Sequence, residues 1–106
     1  MANSIKGQIS FRYEGKTYTV VHDMNVIAEI EDHANSSWNL IVGRFENGIQ
    51  RIADMRRVLY FGLLPNHPEV TLQDAGDMLL AEEDIVGRLF EAAYPQPGKE
   101  SASGNA

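Results

Sequence analysis

The chain of 106 residues carries 9 Lys+Arg against 15 Asp+Glu, a formal net charge of -6, with 43% hydrophobic residues and no cysteine. That length fits one domain with a modest core, and the lack of thiols excludes a disulfide scaffold, thiolate metal sites and cysteine catalysis. The acidic balance, with a pI near 4.9, argues against general nucleic-acid binding, which needs Lys and Arg to neutralise phosphates. No apolar run approaches the roughly 20 residues of a membrane span. Met1–Lys6 lacks the apolar stretch of a signal peptide, so a soluble, intracellular protein is expected.

The first segment alternates. Ile5, Ile9, Phe11 and Tyr13 share one parity, and Lys6, Gln8, Ser10 and Arg12 the other. This is the period of a half-buried strand. Glu14-Gly15 supplies a turn, and Thr17–Val21 is rich in β-branched and aromatic residues. The two runs predict a β-hairpin. A lone hairpin is marginal in water, so its apolar face must pack on helices or on another chain.

Asp23 is a good N-cap for a helix over 24–34, with Ile27, Ile30 and Ala34 on one face and Val26 beside them. Glu29, Glu31, Asp32 and His33 make most of its polar face. Asn35-Ser36-Ser37 breaks this helix and caps the next, where Trp38, Ile41, Val42 and Phe45 follow helical spacing and Asn47-Gly48 closes the run. Residues 50–64 form the strongest periodic stretch. Ile52, Met55, Leu59, Gly62 and Leu63 line a stripe, Val58 adjoins it, and Arg51, Asp54 and Arg57 are expected to face away.

Pro65 ends that helix, and Asn66-His67-Pro68 is a loop. Thr71-Leu72-Gln73-Asp74 resembles a capping box with Asp in the Glu position. It opens a short helix carrying Leu72, Ala75, Met78 and Leu79. A last helix over 82–94 carries Ile85, Leu89, Phe90 and Ala93. From Pro95 no apolar residue is larger than Ala, which predicts a disordered tail over 95–106 behind a single domain over 1–94.

Charge is uneven. Lys6, Arg12 and Lys16 face only Glu14 in the hairpin, whereas Asp23, Glu29, Glu31 and Asp32 crowd the first helix. Arg44, Arg51, Arg56 and Arg57 outnumber Glu46 and Asp54, and residues 69–91 are strongly acidic with Arg88 alone against them. Such asymmetry allows electrostatic complementarity within or between molecules, although solvated helix faces are the simpler account.

Catalytic signatures are missing. There is no GxSxG, Walker A or GxGxxG pattern, and the glycines are scattered as packing or capping residues. Glu29 and His33 share a helix face, with Asp32 alongside, but no third convergent ligand is identifiable, so no metal or cofactor is expected. A helix-turn-helix would place Gln73, Asp74 and Asp77 on the recognition helix, where phosphates repel them. Trp38 with Phe45, and Tyr60 with Phe61, are by default core residues. Tyr60 and Phe61 cannot both be fully buried by one stripe, so one is expected to cover the hairpin or lie at an interface. Gly62 points to close approach of another element.

The order of elements resembles the phage tail assembly chaperones, with which the small tail proteins of gene transfer agents are grouped. The hairpin GQISFRYEGKTYTVV leads into a helix matched by Asn25, Ile30, Glu31 and Asp32. Leu59, Gly62, Leu63, His67, Pro68, Thr71, Leu72 and Gly76 fit the next part of the pattern, and Ala93-Tyr94-Pro95 its end. The likeness covers roughly residues 5–95. Tyr60-Phe61 departs from it, standing where the family commonly has Trp or a small residue before Gly.

What the resemblance implies is a non-enzymatic role in tail morphogenesis, as a chaperone associating with the hydrophobic tape-measure protein before tube subunits polymerise around it. Several amphipathic helices on an acidic protein suit such shielding. The expected fold is α+β, an N-terminal β-hairpin packed on a small bundle of four or five helices. The expected contact residues are Trp38, Phe45, Tyr60 and Phe61. Partners are the tape-measure protein or other tail proteins, with hairpin edges available for pairing between copies in a homo-oligomer. Nucleic acid and membrane are not expected partners. The expected location is the bacterial host cytoplasm or the virion. The alternatives are a structural tail component incorporated in the particle and a DNA-binding regulator.

Overall fold

The two alternating runs meet as an antiparallel hairpin of β1 (Gln8–Tyr13) and β2 (Lys16–Val21), followed among the described residues by five helices. The computed structural model describes residues 7–82 and 84–94, so Ile5 and the tail over 95–106 lie outside the described residues. The helices are α1 (Met24–Ala34), α2 (Trp38–Glu46), α3 (Ile52–Leu63), α4 (Leu72–Ala81) and α5 (Ile85–Ala93). The architecture is α+β, a hairpin on a helical bundle. Among the described residues, no helix is long and apolar enough to cross a membrane.

The turn needs positive φ at both central residues, and Glu14 (51°) and Gly15 (81°) supply it. The register pairs Ile9 with Val20 and Phe11 with Tyr18, which puts the apolar side chains on one face. Phe11 and Val20 are buried, and Ile9, Tyr13 and Tyr18 pack against the core. Helix α3 lies against this sheet at Gly62. A Cβ there would stand 2.6 Å from both Val20 Cγ1 and the Val21 carbonyl oxygen, so only glycine allows the approach. The outward edge of β2 is occupied near its middle, where the Thr19 N–H donates to His67 Nε2 at 2.9 Å.

Helix ends follow the side chains that can satisfy free backbone groups. Asp23 Oδ1 accepts from the Val26 N–H at 2.9 Å to start α1, and Asn35 in the left-handed region (φ 54°) ends it. The capping box at α4 is complete. The Thr71 N–H donates to Asp74 Oδ2 at 2.9 Å, and the Asp74 N–H donates to Thr71 Oγ1 at 3.0 Å. The run expected over 82–94 begins later, because Glu82 is the C-cap of α4, its N–H donating to the Met78 carbonyl.

Two expectations on α3 are overturned. Asp54 does not face away. It is 1% exposed and lies one helical turn before Val58, on the stripe that faces the core. Its charge is met by Arg44 of α2 through two hydrogen bonds of 2.9 and 3.0 Å, and by Arg57 at 3.2 Å. Ile52, expected on the apolar stripe, is 66% exposed because it opens the helix beyond the edge of the core.

Candidate functional site

Two neighbouring depressions, lined largely by residues of α2 and α5, form an aromatic groove on the surface. Helix α2 starts at Ser37, whose Oγ accepts from the Leu40 N–H at 3.3 Å, and the Trp38 N–H is held by Glu31 Oε2 at 2.6 Å. Only Ile41 of this helix is fully buried, so Trp38, Val42 and Phe45 turn a half-buried wall toward α5. Phe90 stands opposite. Its ring lies 5.9 Å from that of Trp38 and 5.1 Å from that of Phe45, near-perpendicular to both. These edge-to-face contacts are the favoured aromatic geometry.

The groove has two lobes that share Phe45, Phe90 and Glu91. One lobe, of about 460 Å³, runs past Trp38, Val42 and Tyr94, with Asn39 and Glu46 at its rim. The other, of about 570 Å³, runs past Met55, Val86 and Gly87, with Gln50, Asp84 and Arg88 at its rim. Exposed Leu40 on α2 extends the apolar character of that helix. The surface is therefore an aromatic floor between carboxylate-bearing edges.

His22 backs this floor. It continues the inward parity of Tyr18 and Val20 beyond β2, is 5% exposed, and lies within 5.5 Å, ring to ring, of Trp38, Phe90 and Tyr94. Its Nε2 is 3.0 Å from Tyr94 Oη, while Nδ1 has no partner. An unpaired acceptor costs less than an unpaired N–H, which favours the tautomer donating from Nε2 to Tyr94. Burial lowers its pKa from 6.5 to about 4, against a weak opposing pull from Asp23. The imidazole is thus neutral at ordinary pH and serves as an aromatic wall.

Comparison of the chain with protein-family models, curated proteins and solved structures finds no match.

Of the four aromatic residues singled out by sequence, the structure brings Trp38 and Phe45 together in the groove. Tyr60 and Phe61 form a separate pair, ring centroids 4.8 Å apart. Phe61 stacks edge-on against His33 at 5.4 Å and lines a different depression, with Val26 and Glu29 of α1 and Leu64-Pro65. The histidine considered as a metal ligand accepts from Arg57 Nε through His33 Nδ1, at 3.0 Å. No group of three His, Asp or Glu side chains able to hold a metal occurs among the described residues. Sequence reasoning missed Phe90, Tyr94 and His22 as site residues. The parity of Tyr18, Val20 and His22 was the available signal for the last; for the other two, the pairing of α2 with α5 had to be known.

Proposed function

We propose that this chain is a phage-type tail assembly chaperone, encoded by a phage, prophage or gene transfer agent, that holds an apolar helical stretch of the tape-measure protein during tail morphogenesis. The observation that carries this reading is the aromatic groove between α2 and α5. It leaves Trp38, Val42, Phe45 and Phe90 half-buried, a face suited to a partner's helix rather than to a small substrate. The role is non-catalytic and needs no cofactor. The acidic faces of α1 and α4, with Glu29, Asp32, Asp74 and Asp77 exposed, keep the complex dispersed and repel nucleic acid.

The test is co-expression with the tape-measure protein, scored by solubility and pull-down. A soluble complex is expected, lost in Val42→Asp and kept in Phe61→Asp. Loss in Phe61→Asp alone would move the contact to the depression between α1 and α3. No complex, with the chain recovered in purified particles, would replace this reading with that of an incorporated tail component.

A further inference from the structure

We propose that the α2–α5 groove is selective for a cationic amphipathic helix, whose apolar stripe lies on the aromatic floor while a lysine or arginine sits beside Glu46. This rests on the partner-binding reading above and names the chemistry of the partner.

Shape comes first. The two lobes lie side by side and share Phe45 and Phe90, so that together their lining follows α5 from Val86 to Glu91. Nine residues of helix span about 13 Å, enough to lie beside two turns of a docked helix. Two turns present apolar side chains three and four residues apart, the pattern that helix-binding grooves read. The wall is also able to give, because α2 commits only Ile41 fully to the core. It is bounded by Asn35-Ser36-Ser37 on one side and by Gly48, at φ 79°, on the other.

Charge chooses the occupant. Glu46 and Glu91 lie at the Trp38 lobe and Asp84 at the other. Arg88, the cation among the lining residues, is directed toward Glu82 at 4.0 Å and the Ser10 carbonyl at 3.4 Å. An incoming Lys or Arg meets both a carboxylate and aromatic ring faces, which attract cations. An acidic helix meets like charge. A second copy of this chain is the poorer occupant, since its exposed helix faces carry Glu29, Asp32, Asp74 and Asp77.

The chain contains one tryptophan, and it lies in the groove. Trp38 emission therefore reports occupancy without a label. The probes are two Trp-free amphipathic peptides of about 18 residues with identical Leu positions, one with Lys and one with Glu on the polar face. The Lys peptide is expected to change Trp38 emission saturably, to bind at least about tenfold tighter than the Glu peptide, and to weaken as salt rises. Glu46→Lys should lower its affinity about tenfold, whereas Glu29→Lys, the same charge change on α1, should leave it unaltered. Both variants are surface changes, and circular dichroism checks their folding.

Equal binding of the two peptides, or equal weakening by Glu46→Lys and Glu29→Lys, would overturn the proposal. So would a concentration-dependent Trp38 change without peptide, which would mean that a second copy fills the groove. A tape-measure complex formed without preference for the Lys peptide would leave the chaperone reading standing and sink this one. Selective peptide binding with no tape-measure complex would do the reverse.

Discussion

His22 couples the hairpin to the groove through its burial, and that burial has a pH consequence. In the unfolded chain the imidazole takes up its proton near pH 6.5, in the folded chain only near pH 4. Between those values the unfolded state binds more protons, so stability falls as pH falls. Above that window both states are neutral, and below it the loss is complete. The full shift corresponds to roughly 3 kcal/mol. Urea unfolding of the native chain and of His22→Phe should therefore differ in pH slope, with the native chain losing the extra stability between about pH 6.5 and 4. Parallel slopes would show that His22 does not carry the effect. Asp54 is a buried carboxylate set between two guanidinium groups. Its carboxylate accepts from two guanidinium groups while having no solvent exposure of its own. Asp54→Asn leaves Arg44 and Arg57 facing a neutral amide and should cost about 3 kcal/mol by chemical denaturation, because breaking such a set strands the remaining charges. A change below about 0.5 kcal/mol, the scale of an ordinary surface substitution, would contradict that account.

At the scale of elements, α2 differs from its neighbours. Helix α3 buries Val58, Leu59, Gly62 and Leu63 as well as Asp54, whereas α2 buries Ile41 alone. Local opening free energy follows buried apolar contact. Amide hydrogen exchange should therefore be faster across α2 than across α3, and Asp54→Asn should speed α2 further by releasing Arg44. Equal protection of the two helices would remove the argument that the groove wall gives. The same contrast explains what was legible in the sequence. The Glu14-Gly15 turn, the Asp23 cap, the Thr71–Asp74 capping box and the break after Asn35 depend on neighbours in the chain, and each stands where its residues place it. Asp54 was misplaced because a polar residue on an apolar stripe looks like a boundary until its partner on another helix is known. Trp38 and Phe45 were legible as aromatic positions, but the groove was not, because its other wall comes from α5, more than forty residues further along the chain.

At the scale of the molecule, a two-stranded sheet has too little core of its own to stand alone, so hairpin and helices must fold together. The joint is Gly62 against Val20 and Val21, with Phe11 and Val20 joining Leu59 and Leu63 in one apolar cluster. Because the obstruction at Gly62 includes a backbone oxygen, a methyl group cannot be accommodated by a side-chain rotation alone. Gly62→Ala should cost about 1–3 kcal/mol, the usual penalty for overpacking, even though alanine favours the helix more than glycine does. The loss should be global. Far-ultraviolet circular dichroism reads the helices, and Trp38 emission reads the place where α2, α5 and the end of β2 converge on His22. In a cooperative domain the two signals share one unfolding midpoint. Both should move together to lower denaturant in Gly62→Ala, with the slope of the transition unchanged. If the Trp38 transition separated from the helical one, the groove formed by α2 and α5 would be a detachable layer, and the sheet–helix joint at Gly62 would not be what holds the fold in one piece.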